Sequence, residues 1–169
     1  ILYFQTNTNT FAPINVLKEK YDVIYKFPEI IGLNISTRPD CIDENILELI
    51  KSYTEKYEVW IEFGLQSIHN KTLNFINRGH KFEDFLNAVH LTRKISDKIK
   101  ICAHLIVGLP NETRDMIMQS IDKMNELKID GVKLHPMHIV KNTVLADMFL
   151  KQKSFDNLNP EKMKFEFFE

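Results

Sequence analysis

Cysteine is scarce in this chain. Two residues in 169, Cys41 and Cys102, stand 61 positions apart, which excludes a disulfide framework and a CxxC metal ribbon. Charge of one sign is not in excess either. Lys and Arg total 22 against 23 Asp and Glu, a net charge of −1, so no bulk field draws the chain toward nucleic acid or an anionic membrane. No apolar run approaches the roughly 18 residues of a membrane span, and no secretory signal opens the chain. Glycine is limited to five residues, and no Pro-, Gly- or Ser-rich tract marks a linker. With six histidines, these absences predict a reducing, cytoplasmic setting and one domain over residues 1–151, followed by a tail over 152–169.

What is present is an alternation of short β-rich runs with helical ones. Strands are expected over 1–5, 30–36, 58–64, 99–107 and 131–139. Helices are expected over about 12–27, 43–57, 69–76, 82–95, 112–127 and 143–151, with Asp43 and Asn111 as N-caps. Strict alternation implies right-handed crossovers and a parallel sheet.

The faces of the strands distinguish an open doubly wound sheet from a barrel. A doubly wound sheet is covered on both sides, so its strands read as continuous apolar runs. Here one set of alternate positions is apolar: Leu2 and Phe4; Ile31, Leu33 and Ile35; Val59, Ile61 and Phe63; Ile101, Ala103, Leu105 and Val107; Val132 and Leu134. The other set is mostly polar: Tyr3 and Gln5; Gly32, Asn34 and Ser36; Trp60 and Glu62; Cys102, His104 and Ile106; Lys133 and His135. A buried polar group without a partner costs roughly 1–3 kcal/mol, which is prohibitive on five strands beneath a helix layer. A curled sheet, with helices outside and a polar cavity inside, removes the cost. The expected fold is α/β, a parallel partial (β/α) barrel, whose working end is the C-terminal strand ends and the loops after them. A plain ion pair, Glu62 with Lys133, is the alternative reading of two of these residues.

Several stretches at that end carry chemistry. Gln66 follows a strand and can hydrogen-bond both ways. Arg78 can fork onto a carboxylate or cap helix carbonyls near Gly79. Gly108, in "VGLP", lets a ligand approach the backbone. Cys102, His104 and His135 could hold a metal. Cys41 reads as a loop thiol, and His69, His80 and His90 as surface or helix residues.

Together, "YFQTNTNTFAP", "GLNISTRPDCID", "WIEFGLQSIHNKTLNFINRGH", "HLIVGLPNETRDM" and "GVKLHPMHIVKNTVLADM" resemble the radical S-adenosylmethionine superfamily. The similarity is to the branch containing oxygen-independent coproporphyrinogen oxidase and the Elongator catalytic subunit, within a bacterial group of unassigned substrate. The resemblance implies a partial barrel carrying S-adenosylmethionine across its C-terminal strand ends. It places Asn9 and Thr10 at the methionine moiety, Ser36 at the ribose, and Gln66 and Arg78 at ribose and carboxylate. His104 lies beside the cofactor, Gly108 in the turn flanking adenine, and His138 near the adenine pocket. Arg38 and His135 join this set from their positions at strand ends.

The chain departs from the family in lacking the CxxxCxxC that holds a [4Fe–4S] cluster. It also carries Asn111 where an acidic residue is expected, with Glu112 one later. The expectation is therefore a fragment lacking the first barrel strand and the cluster loop, inactive alone, with an exposed edge at residues 1–5 open to pairing in a dimer. Two readings from other classes stay open: a metal-dependent hydrolase using Cys102, His104 and His135, and a non-catalytic binding module.

Overall fold

The computed structural model describes residues 1–151; the tail over 152–169 lies outside the described residues. In chain order the elements are β1 (Leu2–Phe4), α1 (Ile14–Tyr21), β2 (Gly32–Thr37), α2 (Glu44–Ser52), β3 (Glu58–Gln66), α3 (Asn70–Phe75), α4 (Phe82–Ile95), β4 (Ile99–Val107), α5 (Arg114–Glu126), β5 (Gly131–Pro136) and α6 (Val144–Lys151). Single 3₁₀ turns extend α1 over Asp22–Lys26 and α2 over Tyr53–Glu55, where longer α-helices were expected. The strands form one parallel sheet in the order β1-β2-β3-β4-β5, so each crossover places its strand beside the previous one.

The period-two pattern sorts most positions as anticipated; Ile31, expected on the apolar face, lies ahead of β2 and is 73% exposed. Leu33, Ile35, Val59, Ile61, Phe63, Ile101 and Ala103 are wholly buried. They pack with Leu17 and Tyr21 of α1, Leu47 and Ile50 of α2, and Phe85 and Val89 of α4. Burying a Leu, Ile or Phe side chain stabilises by about 1.5–3 kcal/mol, and this layer holds the helices to the sheet. Strand β5 departs from the pattern. Its apolar positions Val132 and Leu134 are 40% and 52% exposed, since no described helix covers them.

The opposite face is concave. Five strands at about 4.8 Å spacing would put β1 and β5 roughly 19 Å apart if flat. Yet Lys133 Nζ of β5 donates to Tyr3 Oη of β1 at 3.1 Å and sits 4.7 Å from the centre of its ring. Only a curled sheet brings the two outer strands that close. The chain therefore has the partial-barrel curvature inferred from its polar alternation.

Helix starts follow capping chemistry, with one correction. The Asp43 side chain accepts from the Ile46 backbone N–H at 2.9 Å, as expected. Asn111 is not a cap: it lies in the left-handed region at φ 66°, and α5 begins two residues later on Thr113, whose hydroxyl accepts from Met116 N–H at 3.3 Å. Asn tolerates that conformation, so it closes the turn while Thr113 caps. Strand β5 ends at Pro136, three residues early, level with Val107, the last residue of β4; Met137 N–H still donates to Val107 O at 2.9 Å. Replacing the α2 cap, Asp43→Ala, should lower stability by about 1 kcal/mol in urea denaturation, whereas Asp43→Ser should retain most of it.

Candidate functional site

Glu62 stands at the centre of the concave face, 2% exposed. Its carboxylate accepts from Tyr3 Oη at 2.5 Å, Asn34 Nδ2 at 2.6 Å, Ser36 Oγ at 3.0 Å and His104 Nε2 at 2.7 Å. Lys133 Nζ completes the set as an ion pair. Strands β1, β2, β4 and β5 each send at least one side chain to this acid on β3. Register explains the convergence: Tyr3 is level with Asn34, Ser36 with Glu62, and His104 with Lys133. Burial by itself would raise the Glu62 carboxyl. Hydrogen bonds from His104, Lys133, Tyr3 and Asn34 outweigh it and hold the acid well below its ordinary 4.5. Burial would likewise lower the Lys133 ammonium, but Glu62 and Tyr3 raise it above 10.5. The Glu62–Lys133 pairing anticipated from the alternation is therefore present, as part of a larger network.

This network does not leave an open metal centre. Ligand atoms of Glu62, Cys102 and His104 lie within 4.8 Å of one another. An ammonium already occupies Glu62, however, and burial followed by the Glu62 charge pushes the Cys102 thiol up to about 11. A protonated thiol is a poor metal ligand. His135 stands apart from that trio, its ring 5.2 Å from the His104 ring.

Above the network, at the C-terminal strand ends, the polar groups are fewer and less satisfied. Strand β3 carries a bulge: Gly64 is level with His104, yet Gln66, two residues on, is level with Leu105. The bulge turns Gln66 into the left-handed region at φ 76°. Beside it, the Arg78 guanidinium donates to Gly64 O through Nε at 3.2 Å and Nη2 at 2.7 Å. A Cβ on Gly64 would lie 2.6 Å from Arg78 Nη2 and 3.1 Å from Gln66 Nε2, so only glycine admits this pair. Arg78 forms no ion pair with any described residue. Burial, then repulsion from Arg38, lowers its pKa against the weaker pull of Asp40. It does not cap α3; that carbonyl end is closed by the Arg78 backbone N–H on Leu73 O at 2.9 Å.

The other expected site residues fall into two groups. Asn9 and Thr10 are buried and engaged in their own loop. Asn9 Nδ2 donates to Phe4 O, Thr6 O and Ser36 O at 2.9–3.0 Å, and its Oδ1 accepts from Lys20 at 2.7 Å. Thr10 Oγ1 meets Thr37 Oγ1 at 2.6 Å and donates to Cys41 O. They shape the β1–α1 loop, while Ser36 and His104 belong to the Glu62 network. At the rim, Arg38 grips Asp40 with Nε at 2.9 Å and Nη2 at 2.7 Å, and Gly108 turns the chain at φ 90°. His135 is exposed at the end of β5, and His138 is exposed two residues beyond the strand.

Two features were not anticipated. Glu112 is buried, accepts from Ser67 Oγ, and so ties the loop after Gln66 to the turn after Gly108. This carboxylate, one position late in the sequence, is the one that reaches the β3 loop. His80 is not a surface residue: its side chain is fully buried among Arg38, Asp40, Arg78 and Asp84. Tight turns at Gly79 (φ 78°) and Asn77 (φ 51°) were the only sequence signal that it folds inward. His69 is half-buried and bonds Met116 O at 3.0 Å; His90 is exposed on α4 as expected.

Comparison with known proteins agrees with this geometry. The family model described as the radical SAM superfamily matches residues 1–124. Protein YhcC of Escherichia coli K12 is 44% identical over 147 residues, 86% of this chain and 47% of its own length. The chain spans about half the length of the curated relatives it matches. Among solved structures, the archaeal Elp3 of Methanocaldococcus infernus superposes with a TM-score of 0.72 at 22% identity, covering 89% of this chain and 39% of that one. Coproporphyrinogen III oxidase (HemN) of Escherichia coli gives 0.67 at 17%, covering 83% and 32%. At these identities the structural matches establish the shared fold, a partial barrel.

Removing the central acid should be costly. Glu62→Ala leaves Lys133 and four other donors without their acceptor, and should destabilise by about 3 kcal/mol or more; Glu62→Gln should fall between. The pH signs differ for the two partners. The Glu62 contribution is complete above 4.5 and is lost as the pH falls through its lower folded value. That of Lys133 is complete below 10.5 and is lost as the pH rises through its higher folded value. Urea unfolding across pH should show a deeper acid limb in the wild type than in Glu62→Gln, because Asp22, Asp40 and Asp130, also lowered, keep a shallower one in the variant.

Proposed function

The chain belongs to the radical SAM superfamily, and from that premise we propose that residues 1–151 form the S-adenosylmethionine-binding part of a radical enzyme's barrel. The observation that carries this reading is Arg78: a half-buried guanidinium, held by Gly64 O and lacking any carboxylate partner among the described residues. A methionine carboxylate has the charge and the bidentate shape it lacks. Gln66, turned at the bulge beside it, offers a donor and an acceptor to ribose hydroxyls. The Gly108 turn, tied to Ser67 through Glu112, gives a backbone edge for the adenine. Ser36 and His104 support this rim from the Glu62 network, and Arg38 completes it opposite Arg78. Asn9 and Thr10 act through the loop they hold, and His135 and His138 border the open side at β5. When bound and reduced, S-adenosylmethionine supplies a 5′-deoxyadenosyl radical; the residues here bind and orient the cofactor and fix its charge.

The residues do not fit the family's other cofactor. A [4Fe–4S] cluster is held by cysteine thiolates; this chain has two cysteines, one of them, Cys102, a buried thiol on β4. We therefore place the cluster's ligands outside these 169 residues. Among the described residues β1 pairs with β2 alone, and its free edge is the place for another strand, from the same protein or from a second copy. No described helix is long and apolar enough to cross a membrane.

Equilibrium dialysis should detect S-adenosylmethionine binding to this chain, weakened about 10- to 100-fold in Arg78→Met, the equivalent of one charge-assisted hydrogen-bond pair. An analogue without the carboxylate should bind as weakly and be indifferent to Arg78→Met. Equal binding of the two ligands by the wild type would refute the assignment. Anaerobic reconstitution with iron and sulfide should yield no stoichiometric [4Fe–4S] absorbance.

A further inference from the structure

His80 is an anomaly that the cofactor site does not account for. Its side chain is fully buried, and neither ring nitrogen has a hydrogen-bond partner. Buried polar side chains nearly always have one. Nδ1 points toward Asp40 Oδ1 but stops at 4.0 Å, beyond hydrogen-bond range. Asp40 is held on its other side by Arg38. Arg38 Nη2 also donates to Gly79 O at 3.2 Å, the residue between Arg78 and His80. The β2–α2 loop and the Arg78–Gly79–His80 turn are thus joined through Arg38, and His80 stands where a second tie, to Asp40, could close.

Charge explains the gap. The groups facing the ring are Arg78 on its own turn, Arg38 and Asp40 from the β2–α2 loop, and Asp84 from α4. Asp84 is engaged with the Lys81 backbone N–H at 2.7 Å. Two guanidiniums thus crowd one available carboxylate. A proton on the imidazole would add a third positive charge, so burial and the Arg78 charge keep it neutral, below its ordinary 6.5.

We infer that His80 is a positioning residue for the Arg78 site: when a carboxylate binds Arg78, His80 takes a proton from solvent and closes Nδ1–H onto Asp40. The ligand's carboxylate, seated on the Arg78 guanidinium, offsets that cation's repulsion of the ring. The new His80–Asp40 bond then fixes the turn that carries Arg78 against the loop that carries Arg38. No bond forms between His80 and the ligand. The inference rests on the reading that Arg78 receives the cofactor's carboxylate. By linkage, binding that takes up a proton strengthens as the pH falls.

Calorimetric titration of the chain with S-adenosylmethionine at about pH 6, in two buffers of different ionisation heat, counts the protons exchanged. The wild type should take up more than His80→Gln, which keeps a donor and an acceptor but does not titrate; Asp40→Asn should lose the same increment. From about pH 8 to 6 the wild-type affinity should rise about 5-fold or more relative to His80→Gln. The ring itself reports without any substitution: its ¹⁵N resonances at pH 6 should move from the neutral to the charged pattern on binding. Binding with equal proton uptake in wild type and His80→Gln, or with an unchanged His80 spectrum, overturns the inference and leaves the Arg78 assignment standing. Absence of any binding overturns both.

Discussion

One buried carboxylate organises the sheet. Taking an ionised acid out of water costs several kcal/mol unless donors surround it, so Glu62 at 2% exposure is tolerable only where donors converge. No single strand or neighbouring pair supplies enough of them. Tyr3, Asn34, Ser36, His104 and Lys133 do so from the four other strands. For the outermost two to arrive, the sheet must curl. Sheet twist and the outer apolar layer favour curvature in general, and the shared acid gives it a stated endpoint, with the first and last strands in side-chain contact.

The same principle separates scaffold from site. Around Glu62 nearly every polar group is satisfied; the exception is Asn34 Oδ1. Five donors on one carboxylate leave it no capacity to act as a base, so its role is to hold the strand ends in place. Two residues further along β3 the balance reverses. Gly64 gives up a side chain to admit Arg78, Gln66 accepts an unfavourable backbone angle, and Arg78 keeps a charge with no counter-ion among the described residues. Locally costly features with no internal compensation are what a ligand completes. The transition from saturated to unsaturated polar groups along one strand is the ground for placing the proposed site there.

Much of this was legible in the sequence, and the failures have a common cause. Period-two alternation separated the buried face from the polar one on β2, β3 and β4, and so gave the curl and the Glu62–Lys133 pair. It failed on β5, where Val132 and Leu134 carry the apolar pattern without a described helix to cover them: a pattern records what a strand can bury, not whether a partner is there. Asn111 and Thr113 are both competent caps, and only the left-handed angle at Asn111 decides between them. His80 was misread because its immediate neighbours, Gly79 and Lys81, are not apolar. It is buried by groups some 40 positions away in sequence, Arg38 and Asp40, across a contact that no local rule encodes. The bulge at Gly64–Gln66 was equally silent, since Gly-Leu-Gln after a strand reads as its end rather than its continuation.

The arrangement also bears on how the two cofactors of this superfamily divide the protein between them. None of the five groups that donate to Glu62 is a cysteine. Cys102 lies under the network as a protonated thiol, and Cys41 sits in the β2–α2 loop with its own pKa raised by burial and by Asp40. The Arg78 guanidinium is held by the Gly64 carbonyl, and its turn by Arg38, which donates to Gly79 O while gripping Asp40. The proposed organic-cofactor surface is therefore held in place by contacts within this chain. Preorganisation of this kind lowers the ordering cost of binding, and here it is supplied by a carboxylate that itself touches no ligand.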